Sequence, residues 1–426
     1  MKFQQQPEND FLAFVREYYQ RCHARVPQIC VAAAKWKFED LIPGLSDVDT
    51  RFLVKEAMSP EQWRQMSLEV GGVHAEMCRE NHRWARTLEH LPGINLTVDE
   101  IADPALFYPE FRQWTFYEGD EATIAHVKSA LAAVDWSSRD ERHHLKRFAT
   151  FFGPYQRGID PPVNLGPWEN KYALHSRFMH YFAPPLQAAV SLQLRRNVAG
   201  KLDSLRLART IFPNAHVIDE VLAAIDCHYE APGDYAEPRL TEIENQLAAY
   251  LRIVWGSLNG RLKLCAPCEN DDVKTVRAKI AAIPADPTAE FFEGAKFGRL
   301  LEGRLRFYAE EIPWFDSAWP IRIELQRIVA NFYTKPLSVY GQLRFGERLT
   351  AEEVLERLSG TLLGEQTCRD MRRFAEIASE SIAPGDERRQ ARAVADVYQP
   401  VLVTCEALGA DLLLRVKSDA EFSVAI

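Results

Sequence analysis

The sequence predicts an α+β protein, with a small N-terminal mixed sheet followed by a predominantly α-helical bundle region. Two observations carry this prediction. Short apolar runs with strand character, around 28–34, 52–54 and 94–101, are confined to the first 119 residues and are separated by helical patterns. From Asp120 onward apolar residues recur at intervals of three and four, as in Ile124, Val127, Leu131 and Val134, and strand-like alternation almost vanishes. A chain of 426 residues is long enough for two or three domains that each bury a core. The expected divisions are 1–119, 120–267 and 268–426.

The first element is an amphipathic helix from Asp10 to Arg25, with Phe11, Leu12, Phe14, Val15 and Tyr18 or Tyr19 facing inward. A strand is expected from about Gln28 to Ala34. Next comes Gly44-Leu45-Ser46-Asp47-Val48-Asp49, which runs directly into the apolar Phe52, Leu53 and Val54. Carboxylates at i and i+2 on a strand point to one face, because side chains alternate with period 2. Such a pair can hold a hard cation from one side, and magnesium is usually bound by one or two carboxylates together with substrate phosphates. Asp47 and Asp49 are therefore candidate metal ligands, the plain alternative being a solvated acidic turn.

A long helix is expected from Ser59 to about Leu91. Ser59 suits the N-cap, Pro60 the first helical turn, and Gln62 completes a capping box. The following run, 94–101, alternates so that Ile94, Leu96 and Val98 share one face while Asn95, Thr97 and Asp99 share the other. Asp99 is the candidate general base or third metal ligand, or else an N-cap for the turn at Glu100. Glu110 and Glu118 flank a further strand-like run at 111–117 and are secondary candidates.

The segment Ser46-Asp47-Val48-Asp49-Thr50-Arg51-Phe52-Leu53-Val54 resembles the second strand of the nucleotidyltransferase superfamily that includes DNA polymerase beta and the aminoglycoside nucleotidyltransferases. The resemblance implies a nucleotidyltransferase-like N-terminal domain whose two carboxylates bind magnesium, with a third carboxylate, assigned to Asp99, from a later strand. The family's preceding Gly-Ser turn would fall near Lys35-Trp36, where bulky side chains block the close backbone approach to phosphate that glycine permits. Lys35 and Lys37 are then expected to bind the triphosphate by side-chain charge, with Ser46 beside the metal-binding pair; otherwise nucleotide binding is altered or lost.

The helical region offers a cationic run, Arg195, Arg196, Lys201, Arg206 and Arg209, and a mixed aromatic and charged segment at 168–182. A cationic helix face opposite an acidic strand would suit a triphosphate lying between them, since Arg and Lys bind phosphate oxygens by charge-assisted hydrogen bonds. Cys265 and Cys268 form the one close cysteine pair, read as a loop because structural zinc normally needs four ligands. The third region, 268–426, is expected to be helical, with nothing catalytic in its pattern.

Net charge of −9 and a pI near 5.8 give the chain no overall cationic surplus to attract nucleic acid or an anionic membrane. A small-molecule acceptor is expected rather than a polynucleotide. The N-terminus has no apolar signal core and no apolar run approaches membrane-spanning length, so a cytoplasmic protein is expected. The leading expectation is a magnesium-dependent nucleotidyltransferase moving a nucleoside monophosphate, with ATP as the expected donor, to a small-molecule acceptor. The alternative is a catalytically degenerate relative that binds nucleotide or acts as a scaffold.

Overall fold

The computed structural model describes residues 8–41, 46–81, 84–85, 88–156, 183–230, 237–262, 287–313, 315 and 317–418. The chain is α+β: a four-stranded mixed sheet at the N-terminal end and many helices. Helix α1 (Glu8–Arg25) buries Phe11, Val15, Tyr18, Tyr19 and Cys22 along one stripe. The sheet is built from β1 (Ile29–Ala34), β2 (Thr50–Val54), β3 (Leu96–Thr97) and β4 (Thr115–Gly119), in the order β3-β2-β1-β4. β1 runs antiparallel to β2 and β4, while β2 pairs in parallel with the short β3. β1 and β2 are buried along their whole length, the pattern of strands covered on both faces.

Helix α2 (Pro60–Glu80) starts as expected: Ser59 Oγ accepts from Gln62 N, and Gln62 reaches back to Ser59 N at 2.8 Å. It ends earlier than the predicted Leu91, because Asn81 turns to extended backbone as the C-cap. The predicted strand at 94–101 is also cut short. Thr97 and Glu100 form a reciprocal capping box that starts helix α3 (Val98–Ala102) one residue beyond β3. The strand-like run at 111–117 divides in two. Pro109, which lacks an N–H, opens a 3-10 turn over Pro109–Gln113, and β4 follows.

Beyond the sheet come helices α4 (Glu121–Ala133), α5 (Ser138–Gln156), α6 (Ala183–Leu194), α7 (Lys201–Ile211), α8 (His216–Glu230) and α9 (Glu237–Leu262). Leu145, Phe148, Leu186, Leu205, Val221 and Leu251 belong to a hydrophobic cluster that α5 to α9 share, whereas Val127 and Leu131 of α4 pack with the sheet residues Val31 and Leu53. A last group comprises α10 (Pro287–Gly298), α11 (Leu301–Ala309), α12 (Ala318–Val329), α13 (Lys335–Phe345), α14 (Ala351–Leu358), α15 (Glu365–Ala378), α16 (Glu387–Asp396) and α17 (Gln399–Ser418), with a π-turn at Ala330–Thr334 before Pro336. The predicted segments at 168–182 and Cys265–Cys268 lie outside the described residues.

The last group of helices does not have a core of its own. Its Leu305, Phe307, Leu337 and Val401 join Phe11, Tyr18, Phe52, Trp63 and Val70 of the N-terminal elements in one cluster. α2 and α11 approach closely: a Cβ added at Gly303 would lie 2.0 Å from the Ser67 carbonyl oxygen, and Gly303 N–H donates to Ser67 Oγ at 2.8 Å. Only glycine permits backbones that close. Among the described residues, no single helix is long and apolar enough to cross a membrane.

Candidate functional site

Asp47 and Asp49 lie in the extended segment immediately before β2, and their geometry follows the period-2 rule. Ser46, Val48 and Thr50 are buried, whereas Asp47 and Asp49 are both partly exposed on the opposite face. Lys35 N–H donates to the Asp49 carbonyl at 2.9 Å, which continues the β1-β2 pairing and fixes the backbone under the carboxylates. The third member of the cluster is His90. One ligand atom from each of Asp47, Asp49 and His90 lies within 4.8 Å of the others.

His90 also poses a hydrogen-bonding conflict. Its Nδ1 faces the Leu91 carbonyl at 2.8 Å, and a carbonyl can only accept, so Nδ1 carries hydrogen. Nε2 then stands 3.2 Å from Asp49 Oδ1. In the neutral ring both of those atoms are acceptors, so this contact calls for a proton or a cation between them. The donor set of two carboxylates and one imidazole, with its second nitrogen fixed by a backbone carbonyl, fits a divalent cation. An imidazole nitrogen is softer than a carboxylate oxygen, so the set suits Mn²⁺ as well as Mg²⁺.

The loop that carries His90 is pinned at several points. The buried His74 ring donates from Nε2 to the Leu88 carbonyl at 2.6 Å, and Arg304 donates to the Leu91 carbonyl at 3.2 Å. Gly93 N–H donates to the Thr50 carbonyl at 3.1 Å. Asn95, fully buried, donates to the Pro92 and Gly93 carbonyls and accepts from Phe52 N–H at 3.3 Å. These bonds tie the loop to the edge of β2, so His90 is held where β2 begins.

Cations surround the acidic pair. Burial would raise the Asp49 carboxyl pKa, but the His90 hydrogen bond and the charges of Arg51 and Lys35 outweigh it and hold the group well below the usual carboxylate range. Lys35 and Arg51 are also shared with the buried Glu110, at 3.0 and 3.2 Å, and Lys35 is the larger reason that Glu110, despite burial, is lowered to about 2. Among the described residues, three cations lie over the indole of Trp36: Lys201 at 4.6 Å, Arg147 at 5.2 Å and Lys35 at 5.8 Å from the ring centroid. The fields of Asp47 and Asp49 both reach Lys201, and that of Asp49 reaches Arg147.

The structure thus brings Asp47 and Asp49 together with Ser46 buried beside them and Lys35 close enough to act on Asp49, and places Asp99, Lys37 and Glu118 differently. Asp99 is exposed in the first turn of α3, outside the cluster, because the Thr97-Glu100 capping box turns the chain helical before Asp99. Glu100 points inward instead, to Lys296 at 2.5 Å and Arg299 at 2.6 Å. Lys37 pairs with Asp203 of α7 at 2.5 Å, and Glu118 with Arg16 at 3.1 Å. Of the cationic run, only Lys201 is buried at the site; Arg195, Arg196, Arg206 and Arg209 are exposed. Gly44 and Leu45, which lead into the pair, lie outside the described residues.

Sequence reasoning missed His90 and Arg147. His90 precedes Pro92-Gly93, a turn signal, but nothing in its spacing links it to Asp47 and Asp49. Arg147 lies in a charged run that reads as a solvated helix face. No protein-family model, curated protein or solved structure matches the chain.

Proposed function

We propose that the chain is a divalent-cation-dependent nucleotidyltransferase, moving a nucleoside monophosphate from a nucleoside triphosphate such as ATP to a small-molecule acceptor. The observation that carries this reading is the convergence of Asp47, Asp49 and His90 at the start of β2, in a Ser-Asp-x-Asp segment that resembles the superfamily's metal-binding strand. Asp47 and Asp49 would hold Mg²⁺ or Mn²⁺ with His90 as the third ligand, in the place the resemblance gave to Asp99. A cation bound there neutralises phosphate charge and favours in-line displacement at the α-phosphorus. The cations over Trp36 would attract an anionic substrate, and the acidic overall charge favours a small acceptor over a polynucleotide.

A second reading, a catalytically degenerate nucleotide binder, is favoured by one observation. Lys35 and Trp36 stand where a Gly-Ser turn is expected, and both Lys35 and Lys37 are engaged in ion pairs within the protein. A thermal-shift screen against ATP, GTP, CTP and UTP, with and without Mg²⁺ or Mn²⁺, combined with a pyrophosphate-release assay, separates the two. The enzyme reading expects a cation-dependent stabilisation of about 2.7 kcal/mol at 100 times Kd. It also expects pyrophosphate release, with both signals lost in Asp47→Asn. Stabilisation without turnover for a panel of hydroxyl, amine and carboxylate acceptors selects the degenerate binder. No shift with any nucleotide rules out both.

A further inference from the structure

Lys201 is an anomaly in the interior. It is 6% exposed, yet its ammonium makes no hydrogen bond or ion pair with any described residue and lies 4.6 Å over the face of Trp36. Its backbone needs are met separately: Asp40 accepts from the N–H groups of Lys201 and Leu202 at 2.7 and 2.9 Å, which caps the N-terminus of α7. Gly200, at φ +97°, allows this approach, since a Cβ there would lie 3.1 Å from Lys37 and 3.3 Å from Asp40. The ammonium is thus carried to the indole on a firmly capped helix end, with no ion pair to any described carboxylate.

A buried ammonium is costly unless it is paired, and cation–π contact offsets only part of that cost. The cost grows here because Arg147 and Lys35 crowd the same ring. Burial is the main reason that the Lys201 pKa falls to about 8. Asp40 is felt most, ahead of Asp47 and Asp49, but none of the three carboxylates pairs with the ammonium. The result is a polarised site, acidic at Asp47, Asp49 and His90 and cationic at Trp36. A ligand matched to it carries several linked negative charges, coordinates a divalent cation at one end and extends to ammonium and guanidinium groups at the other.

We infer that Lys201, with Arg147 beside it on Trp36, binds the phosphate tail of the substrate, a polyphosphate chain, by side-chain charge in place of a glycine-turn cradle. This rests on the nucleotidyltransferase reading for its context, but it is testable apart from it. The probe is sodium tripolyphosphate, titrated calorimetrically into the full chain in EDTA, so that no divalent cation contributes. Wild type is expected to bind, Lys201→Gln to lose about 10- to 100-fold in affinity, as for a charged hydrogen bond removed, and Lys201→Arg to retain most of it. Asp47→Asn is expected to bind as well as wild type, or better, because a like charge is gone.

A second readout concerns the free protein. Lys201→Met is expected to melt higher than wild type without ligand, because an unpaired buried charge has been removed. Unchanged tripolyphosphate affinity in Lys201→Gln, no binding by wild type, or a lower melting point for Lys201→Met would each overturn the inference. ATP binding no tighter than tripolyphosphate, with adenosine not binding, identifies a free polyphosphate rather than a nucleotide as the ligand. In that case the nucleotidyltransferase reading fails while the role of Lys201 stands.

Discussion

The chemistry of the site depends on side chains whose protonation and pairing are set by burial. His74 shows the direction most simply. It is buried, donates to Leu88 and lies 3.2 Å from the Tyr18 hydroxyl, and burial pushes its pKa down to about 3. An unfolded histidine titrates near 6.5, so as pH falls below about 6.5 the unfolded chain takes up the proton first. The stability His74 contributes is therefore complete above about pH 6.5 and is lost as pH falls toward 3. The slope is about 1.4 kcal/mol per pH unit, or about 2 kcal/mol between pH 7 and 5. Urea unfolding at those two pH values should show this loss in wild type and a shallower dependence in His74→Gln; equal slopes would contradict the assignment. His143, also lowered to about 3 by burial, adds in the same direction. At this scale the sequence was partly legible. Asp47 and Asp49 could be found because their relation is local and obeys strand alternation. His90 could not, because its position depends on bonds from His74, Asn95 and Arg304, which the spacing of residues does not encode.

Elements form where local signals agree and fail to form where a cap intervenes. The Ser59-Pro60-Gln62 start of α2 and the stripe of α1 were legible, because both are written in adjacent residues. The end of α2 and the length of β3 were not. Asn81 ends the helix without a glycine or proline to mark the place, and Thr97 with Glu100 converts an alternating run into a helical turn. That capping box moves Asp99 to the surface and sends Glu100 to Lys296 and Arg299, so a two-residue feature decides which carboxylate serves structure. The packing of α2 on α11 makes a separate prediction. Gly303→Ala places a methyl group against the Ser67 backbone, where no flexible side chain can yield, so the helices must part. A loss of about 3 kcal/mol is expected from such overpacking. Chemical denaturation measures it, and a loss below 0.5 kcal/mol, the level of an ordinary surface change, would contradict so close a crossing.

In the whole molecule, the N-terminal sheet is held by helices from the far end of the chain. Arg299 bridges Glu100 and Glu406 with bonds of 2.6 to 2.9 Å and lies over Trp63 at 4.0 Å, joining α3, α17 and α2. The expected division at 268 lies outside the described residues, and the sharing of one core by the first and third segments was not legible in the sequence. Helical periodicity shows that a face is buried, not which partner buries it. The same architecture places α5 and α7 beside the acidic pair, so a chain with net charge −9 concentrates Arg147 and Lys201 at one point. This arrangement is proposed to serve a divalent cation held by Asp47, Asp49 and His90. The most direct test of this proposal is calorimetric titration of Mn²⁺ into the full chain and into Asp49→Asn and His90→Ala, without nucleotide. One specific site is expected in wild type, with about 10- to 100-fold weakening in His90→Ala and loss of the site in Asp49→Asn. Equal Mn²⁺ affinity in all three proteins, or none in wild type, would contradict it.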